Sequence, residues 1–413
     1  MKSFAFDNSS IQKWILFFYF IVLATVFHFF TIDSKNILLF GYSIVALVIL
    51  VALNFRSFPR IKHQELIIIL LYMASITLLN FESSKIVSLI YSAFFILSFI
   101  FFVSVAYGCF TLDDYRNLLK AIFIIYFIVL ILGQLYVYFD FFTPLPGYAS
   151  HLPHGRLGTL IEEGKFRYYS LSSEPSYAAF IVVILYYSYI KTDILKGSLF
   201  KGQNLYMFLL LVYMILSFQS AYGIILLGLV VISYIGFTKT SILIYLFSAI
   251  ALASIFLFKV DIRAVDRVVA IIKNIDISNL HSLATIDFTA YFRVAPVLYY
   301  FGTIDFTDIH FYLGHGASAS RHLIVPEIYL AYQGEFLGGF LPSFFYDYGV
   351  TGAIMVLIFI KRFLPNLISA GTAIVVLILF NANLNTQLFW FLVSCLAFDH
   401  HFNRSNKGSL QFG

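Results

Sequence analysis

The residues of this chain best suited to chemistry are three arginines, Arg167, Arg293 and Arg321, one glutamate, Glu174, and one glycine-flanked histidine, His315. Arg167 precedes Ser173-Glu174-Pro175-Ser176. Ser173 or Glu174 can cap a helix there, and proline suits the first helical position because its missing N–H is not needed. The free N–H groups and positive dipole end of that helix, beside Arg167, would suit a phosphate, although a helix cap alone uses the same residues. Arg293 lies within TAYFRVAPVLYYF, where a guanidinium must find a partner, a ligand or water. The segment YLGHGASASR supplies His315 and Arg321. Its glycines let backbone approach a ligand closely, and they also serve a plain turn, so His315 reads either as an acid/base group or as a turn histidine.

These residues must be positioned by an apolar scaffold. Of 413 residues, 61% are hydrophobic and 11% charged, and the mean hydropathy is +0.90. Soluble domains run about 25% charged, which excludes a cytosolic enzyme, a nucleic-acid module and a disordered protein. Apolar runs near 13–31, 36–54, 64–80, 86–110, 120–142, 175–191, 204–219, 221–237, 241–259, 343–360, 366–381 and 385–399 predict about twelve membrane spans. With no internal repeat and no separate soluble segment, residues 1–413 read as a single polytopic all-α membrane domain. The first run follows Lys2 and Lys13 without a small-residue cleavage site and is expected to be retained.

Orientation follows from the basic residues. With a cytoplasmic N-terminus, inner segments hold eleven lysines and arginines, from Arg56 to Arg362, and the ends add Lys2, Lys13, Arg404 and Lys407. Short outer loops hold only Lys35 and Lys85. That asymmetry predicts both termini inside. It leaves two long extracytoplasmic loops, about 143–174 and 260–342, which is where so economical a chain would place chemistry. In the second, Val265, Val268, Val269 and Ile272 recur at helical spacing with Arg263, Asp266 and Lys273 elsewhere, as in a helix at the membrane surface, where Arg263 and Arg267 read as solvated or headgroup-contacting arginines.

Other chemistry has no motif to carry it. The histidines lack metalloprotease spacing, and no phosphate-binding Walker loop or Gly-x-Ser-x-Gly elbow occurs. Cys109 and Cys395 fall in apolar stretches, so neither a disulfide framework nor a metal site is expected. His400-His401 reads as a solvated pair in a cytoplasmic tail. Asn381, Asn383, Asn385 and Gln387 form an amide-rich break between two spans, expected to satisfy helix ends and interhelical contacts.

Taken in order, several pieces are similar to one family. Arg167 followed by Ser173-Glu174-Pro175-Ser176 resembles the Arg…Glu-Pro-Ser signature of the Wzy-type polysaccharide polymerases, and Leu216-Ser217-Phe218-Gln219-Ser220 resembles the serine-containing span that follows it there. Next come the segment around Arg293, the Gly314-His315-Gly316 turn, and Tyr346-Asp347-Tyr348-Gly349-Val350-Thr351-Gly352, similar to an acidic-x-Gly-x-x-Gly entry into a late span. Some members carry paired Arg-x10-Gly motifs in both loops; neither long loop here does.

The resemblance implies a multi-pass protein of the bacterial cytoplasmic (inner) membrane that polymerises oligosaccharide repeat units carried on undecaprenyl diphosphate at its outer face. Arg167, Arg293 and Arg321 would hold diphosphate, which arginines match bidentately. Glu174 would shape the first site or act as base, and His315 is the second candidate base. Neither cofactor nor metal is expected, because the lipid diphosphate is itself the activated leaving group. The partners implied are the lipid-linked oligosaccharide, membrane lipids and, as an open possibility, a chain-length regulator protein, with no nucleic acid. The rivals are an O-antigen ligase, with the same chemistry on lipid A core, and a lipid-linked oligosaccharide flippase or other transporter.

Overall fold

The computed structural model describes residues 8–25, 31–32, 35–53, 62–139, 168, 170–172, 175–193, 203–235, 291, 297–322, 339–340, 342–364 and 369–409. Within these the regular structure is helical, apart from a two-residue antiparallel pairing of Thr31–Ile32 with Lys35–Asn36 and an isolated parallel bridge between Gly339 and Pro342. The helices are α1 (Asn8–Ala24), α2 (Ile37–Leu53), α3 (Glu65–Leu79), α4 (Ile86–Cys109), α5 (Leu112–Phe139), α6 (Pro175–Asp193), α7 (Gln203–Phe218), α8 (Ala221–Ile235), the short α9 (Ile309–Leu313), α10 (Ser343–Lys361), α11 (Ala370–Leu379) and α12 (Gln387–Ser409). A helix therefore stands at every expected apolar run except 241–259, which lies outside the described residues. Three segments are long and apolar enough to cross a membrane, Ile86–Cys109, Leu112–Leu135 and Ser343–Lys361; shorter apolar helices accompany them.

Two ends differ from expectation for local reasons. α5 begins at Leu112 and not near residue 120, because Thr111 and Asp114 cap it reciprocally: the Thr111 N–H donates to Asp114 Oδ2 at 2.9 Å, and the Asp114 N–H to Thr111 Oγ1 at 3.1 Å. α12 runs on to Ser409, and His401 is no solvated tail residue, since its ring stacks on Tyr107 at 4.1 Å.

α6 is the central helix. It packs against α5, α7, α8 and α12, and the run Ala178–Leu185 is buried on all sides, as a helix apolar all round should be. Lipid tails are as apolar as leucine, so helices here gain by close packing and small residues. Gly223 on α8 supplies one such contact, for a Cβ there would stand 3.0 Å from that of Ala179 on α6. α7 and α8 form a hairpin joined by two residues, Gln219, in left-handed backbone (φ 48°), and Ser220. The amide-rich break behaves as expected: Asn381 Nδ2 donates to the Leu377 carbonyl, Asn383 Oδ1 accepts from the Leu384 N–H, and Gln387 Nε2 reaches Val22 O on α1 at 3.4 Å.

α3 and α10 lie side by side and hold between them the loop that carries His315. α10 is broken at Gly349, whose dihedrals (φ 64°, ψ −178°) no helix contains.

Candidate functional site

The site is built on that break. A helix cannot continue through Gly349, and two of the three carbonyls before it, of Tyr346 and Asp347, accept from the His315 N–H at 3.1 Å and the Gly316 N–H at 2.8 Å. Only glycine fits the crossing. Gly314 and Gly349 both have positive φ, and a Cβ on either would stand 2.4 Å from a carbonyl oxygen of the facing segment.

The rest of the loop is fixed from below. The Asp347 carboxylate is buried and accepts from two backbone N–H groups, Ser318 at 3.0 Å and Ser320 at 2.8 Å. The Ala317 N–H donates to Thr77 Oγ1 on α3, the Ala319 N–H to the Gly316 carbonyl, and the Gly314 N–H to His310 O. Every N–H from Gly314 to Ser320 is thus bonded, though none of it belongs to a regular element until the 3-10 turn Ala319–His322 begins. Ser318 sits in left-handed backbone (φ 57°), a cost of order 1–3 kcal/mol that these bonds offset. Ser318 Oγ also donates to Ser88 Oγ on α4.

His315 is the product of this framing. Its ring lies parallel to that of Tyr346, with centroids 4.0 Å apart, and the His310 ring covers it from the side of α9 at 4.7 Å. His315 Nδ1 lies 3.2 Å from the Tyr346 carbonyl oxygen. A carbonyl only accepts, so Nδ1 carries the proton and Nε2 is the basic nitrogen. His310 is set the same way, with Nδ1 3.1 Å from the Gly314 carbonyl. Burial is the largest influence on His315 and lowers its pKa below the ordinary histidine value; the bond to Tyr346 opposes this, His310 adds to it and Asp308 opposes it. The ring is therefore neutral at pH 7 and able to accept a proton.

Of the other residues singled out in the sequence, Arg167, Glu174 and Arg293 lie outside the described residues, as does the surface helix expected over 260–275. Arg321 has its backbone in the 3-10 turn Ala319–His322; its side chain lies outside the described residues. Among the described residues no group of histidine, cysteine, aspartate and glutamate could hold a metal ion. The structure does join two motifs that stand 31 residues apart in sequence, Gly-His-Gly and Tyr-Asp-Tyr-Gly.

Sequence reasoning missed three roles. Asp347 was part of a motif without a task, and its task is to hold the loop. His310 was one loop histidine among several, and no local signal shows that it stacks on His315. The third is a second buried aspartate, Asp399 on α12, whose Oδ1 accepts from the Tyr115 hydroxyl on α5 and whose Oδ2 accepts from Ser188 on α6, with Lys191 Nζ at 3.8 Å. An acidic residue between Phe398 and His400 at the end of an apolar run was its only trace. Compared with protein-family models, with curated proteins and with solved structures, the chain matches none, so its chemistry is argued from its own residues.

Proposed function

We propose that this chain is a membrane glycosyltransferase of the polymerase type, joining oligosaccharide repeat units carried on undecaprenyl diphosphate at the outer face of the bacterial cytoplasmic membrane. The reading includes about twelve spans, both termini inside and outer loops near 143–174 and 260–342. What supports a base in the second loop is the fixed tautomer of His315: Nδ1–H is held by the Tyr346 carbonyl, and a basic Nε2 remains on a neutral ring. In the proposed step Nε2 takes the proton of the acceptor sugar's hydroxyl as that oxygen attacks the anomeric carbon of the growing chain. The anomeric C–O bond to the lipid diphosphate breaks, and the diphosphate leaves with the bonding pair. Departure of so highly charged a group needs cations, which the motif resemblance assigns to Arg167, Arg293 and Arg321, with Glu174 shaping the first site.

The test is chain length in the source organism. Deletion should leave surface glycan one repeat unit long and still attached; complete loss of attached repeat, with lipid-linked polymer accumulating, would replace the polymerase by a ligase. In the deletion strain, Arg167→Ala and Arg293→Ala at matched membrane levels should each lower polymerisation on the order of a hundredfold, and lysine at either position should recover part of it. Full-length polymer from both alanine variants would remove the arginines from the site.

A further inference from the structure

The segment that carries His315 was expected to be an outer loop; Ser83 and Lys85 in the turn after α3 hold its far side, yet the end of α9 is anchored within two apolar helices. The Tyr72 hydroxyl donates to the Leu313 carbonyl at 2.9 Å and stands 3.1 Å from the Tyr348 carbonyl. Tyr72 lies seven residues before the end of α3, about 10 Å of helix at ~1.5 Å per residue. Gly349, against which the Tyr312 carbonyl packs, lies six residues into α10, about 9 Å from its first residue by the same rise. α3 ends and α10 begins on the same side, so both measures set α9 at the same depth below their ends.

The face that α9 itself turns outward is apolar, while Asp305 and Thr307 in the turn before it are exposed and polar, bonded to each other. Phe306 is 66% exposed and Ile309 61%, with Tyr312 and Leu313 exposed beside them. This surface continues that of its neighbours, since Leu71 and Leu78 on α3 and Ile354 and Ile358 on α10 are exposed as well. The polar side of the segment fits such surroundings. A loop in water can leave N–H groups to the solvent, whereas backbone at membrane depth must satisfy them internally, and every N–H from Gly314 to Ser320 is bonded within the protein.

We infer that α9 and the loop after it form a re-entrant segment whose outward face, Phe306, Ile309, Tyr312 and Leu313, contacts the acyl chains of the bilayer. The inference rests on reading the chain as membrane-spanning. Its consequence for the site is positional: Ser83 Oγ donates to the His315 carbonyl and the Lys85 N–H to the Ala317 carbonyl, so the His310–His315–Tyr346 stack stands between the exposed turn after α3 and the lipid-facing α9, where a ligand reaches it from the bilayer boundary.

The experiment uses full-length protein, Cys109→Ala, reconstituted in phosphatidylcholine–phosphatidylglycerol vesicles. Ile309→Cys and Leu313→Cys are labelled with bimane and quenched with brominated phosphatidylcholine, and their reaction with a membrane-impermeant maleimide is timed. Ile90→Cys, on the exposed face of α4, is the lipid control, and Glu82→Cys, in the exposed turn between α3 and α4, is the water control. Quenching equal to that of Ile90→Cys, with maleimide reaction at least tenfold slower than at Glu82→Cys, is expected. Fast reaction without quenching, while Ile90→Cys is quenched, overturns the inference and leaves the membrane reading standing. Slow reaction without lipid quenching also overturns it, because a protein partner or a second copy then covers the face. If Ile90→Cys is itself unquenched, the membrane reading falls and takes the inference with it.

Discussion

Among the described residues, two buried aspartates are held in opposite ways. Asp347 gives both carboxylate oxygens to backbone N–H groups of an irregular loop. Asp399 gives its oxygens to side chains of α5 and α6, Tyr115 and Ser188, with Lys191 nearby. The first therefore fixes the conformation of a segment, and the second fixes the spacing of three helices. A carboxylate that accepts from backbone sets the course of the chain, here the turn that presents His315. A carboxylate that accepts from side chains sets packing, and its loss is felt by the fold before any site.

The sharpest way to break this contrast is to remove each carboxylate. Asp399→Ala takes the acceptor from two buried hydroxyls and leaves Lys191 without its carboxylate. Stripping one partner from a buried pair costs about 3 kcal/mol, which should read as a clear loss of thermal stability in detergent. Asp347→Ala orphans two buried N–H groups, each worth about 1–3 kcal/mol, but the damage falls on the loop. Polymerisation should be lost with a smaller change in Tm than for Asp399→Ala. If Asp347→Ala instead matches Asp399→Ala in Tm and keeps activity, the distinction between the two regions fails.

A smaller effect tests the helix break. Gly349→Ala must place a side chain in left-handed backbone against the Tyr312 carbonyl, so it should destabilise by roughly 1–3 kcal/mol and reduce activity. Gly41→Ala and Gly108→Ala meet nothing within 4 Å in helices α2 and α4, and should be neutral or stabilising by up to ~1 kcal/mol. Equal effects at Gly349 and Gly41 would show the break to be incidental.

The mildest effect is one of pH. The folded pKa of His315 is lowered, so below the ordinary value near 6.5 the unfolded chain binds more protons than the folded one, and stability declines as pH falls from there. His63, lowered chiefly by burial, adds in the same direction. Activity should fall on the acid side too, with a midpoint below 6.5, as Nε2 becomes protonated. An acid limb that is unchanged in a His315→Gln variant of measurable activity would remove His315 as the base while leaving the stability argument intact.

The places of most helices were legible in the residues alone, because an apolar run of membrane length leaves the backbone no other way to satisfy its N–H and C=O groups. Its failures were at ends. α5 started early because of a reciprocal cap between Thr111 and Asp114, and α12 ran through His400-His401 because His401 found a ring to stack on. For the site, residue types and order were legible: a histidine between glycines, and an aspartate two residues before another glycine. It could not say that these two pieces are one object, since their contact depends on a break in α10 and on carbonyls turned toward a distant loop. Composition and periodicity record how each segment meets its surroundings as a whole. Which nitrogen of His315 is basic, which aspartate holds a loop and which holds helices together, and how deep the histidine sits were decided only by tertiary structure. Each depends on atoms that are neighbours in space and 31 or more residues apart in sequence, except Asp347 and its loop, 27 and 29 residues apart.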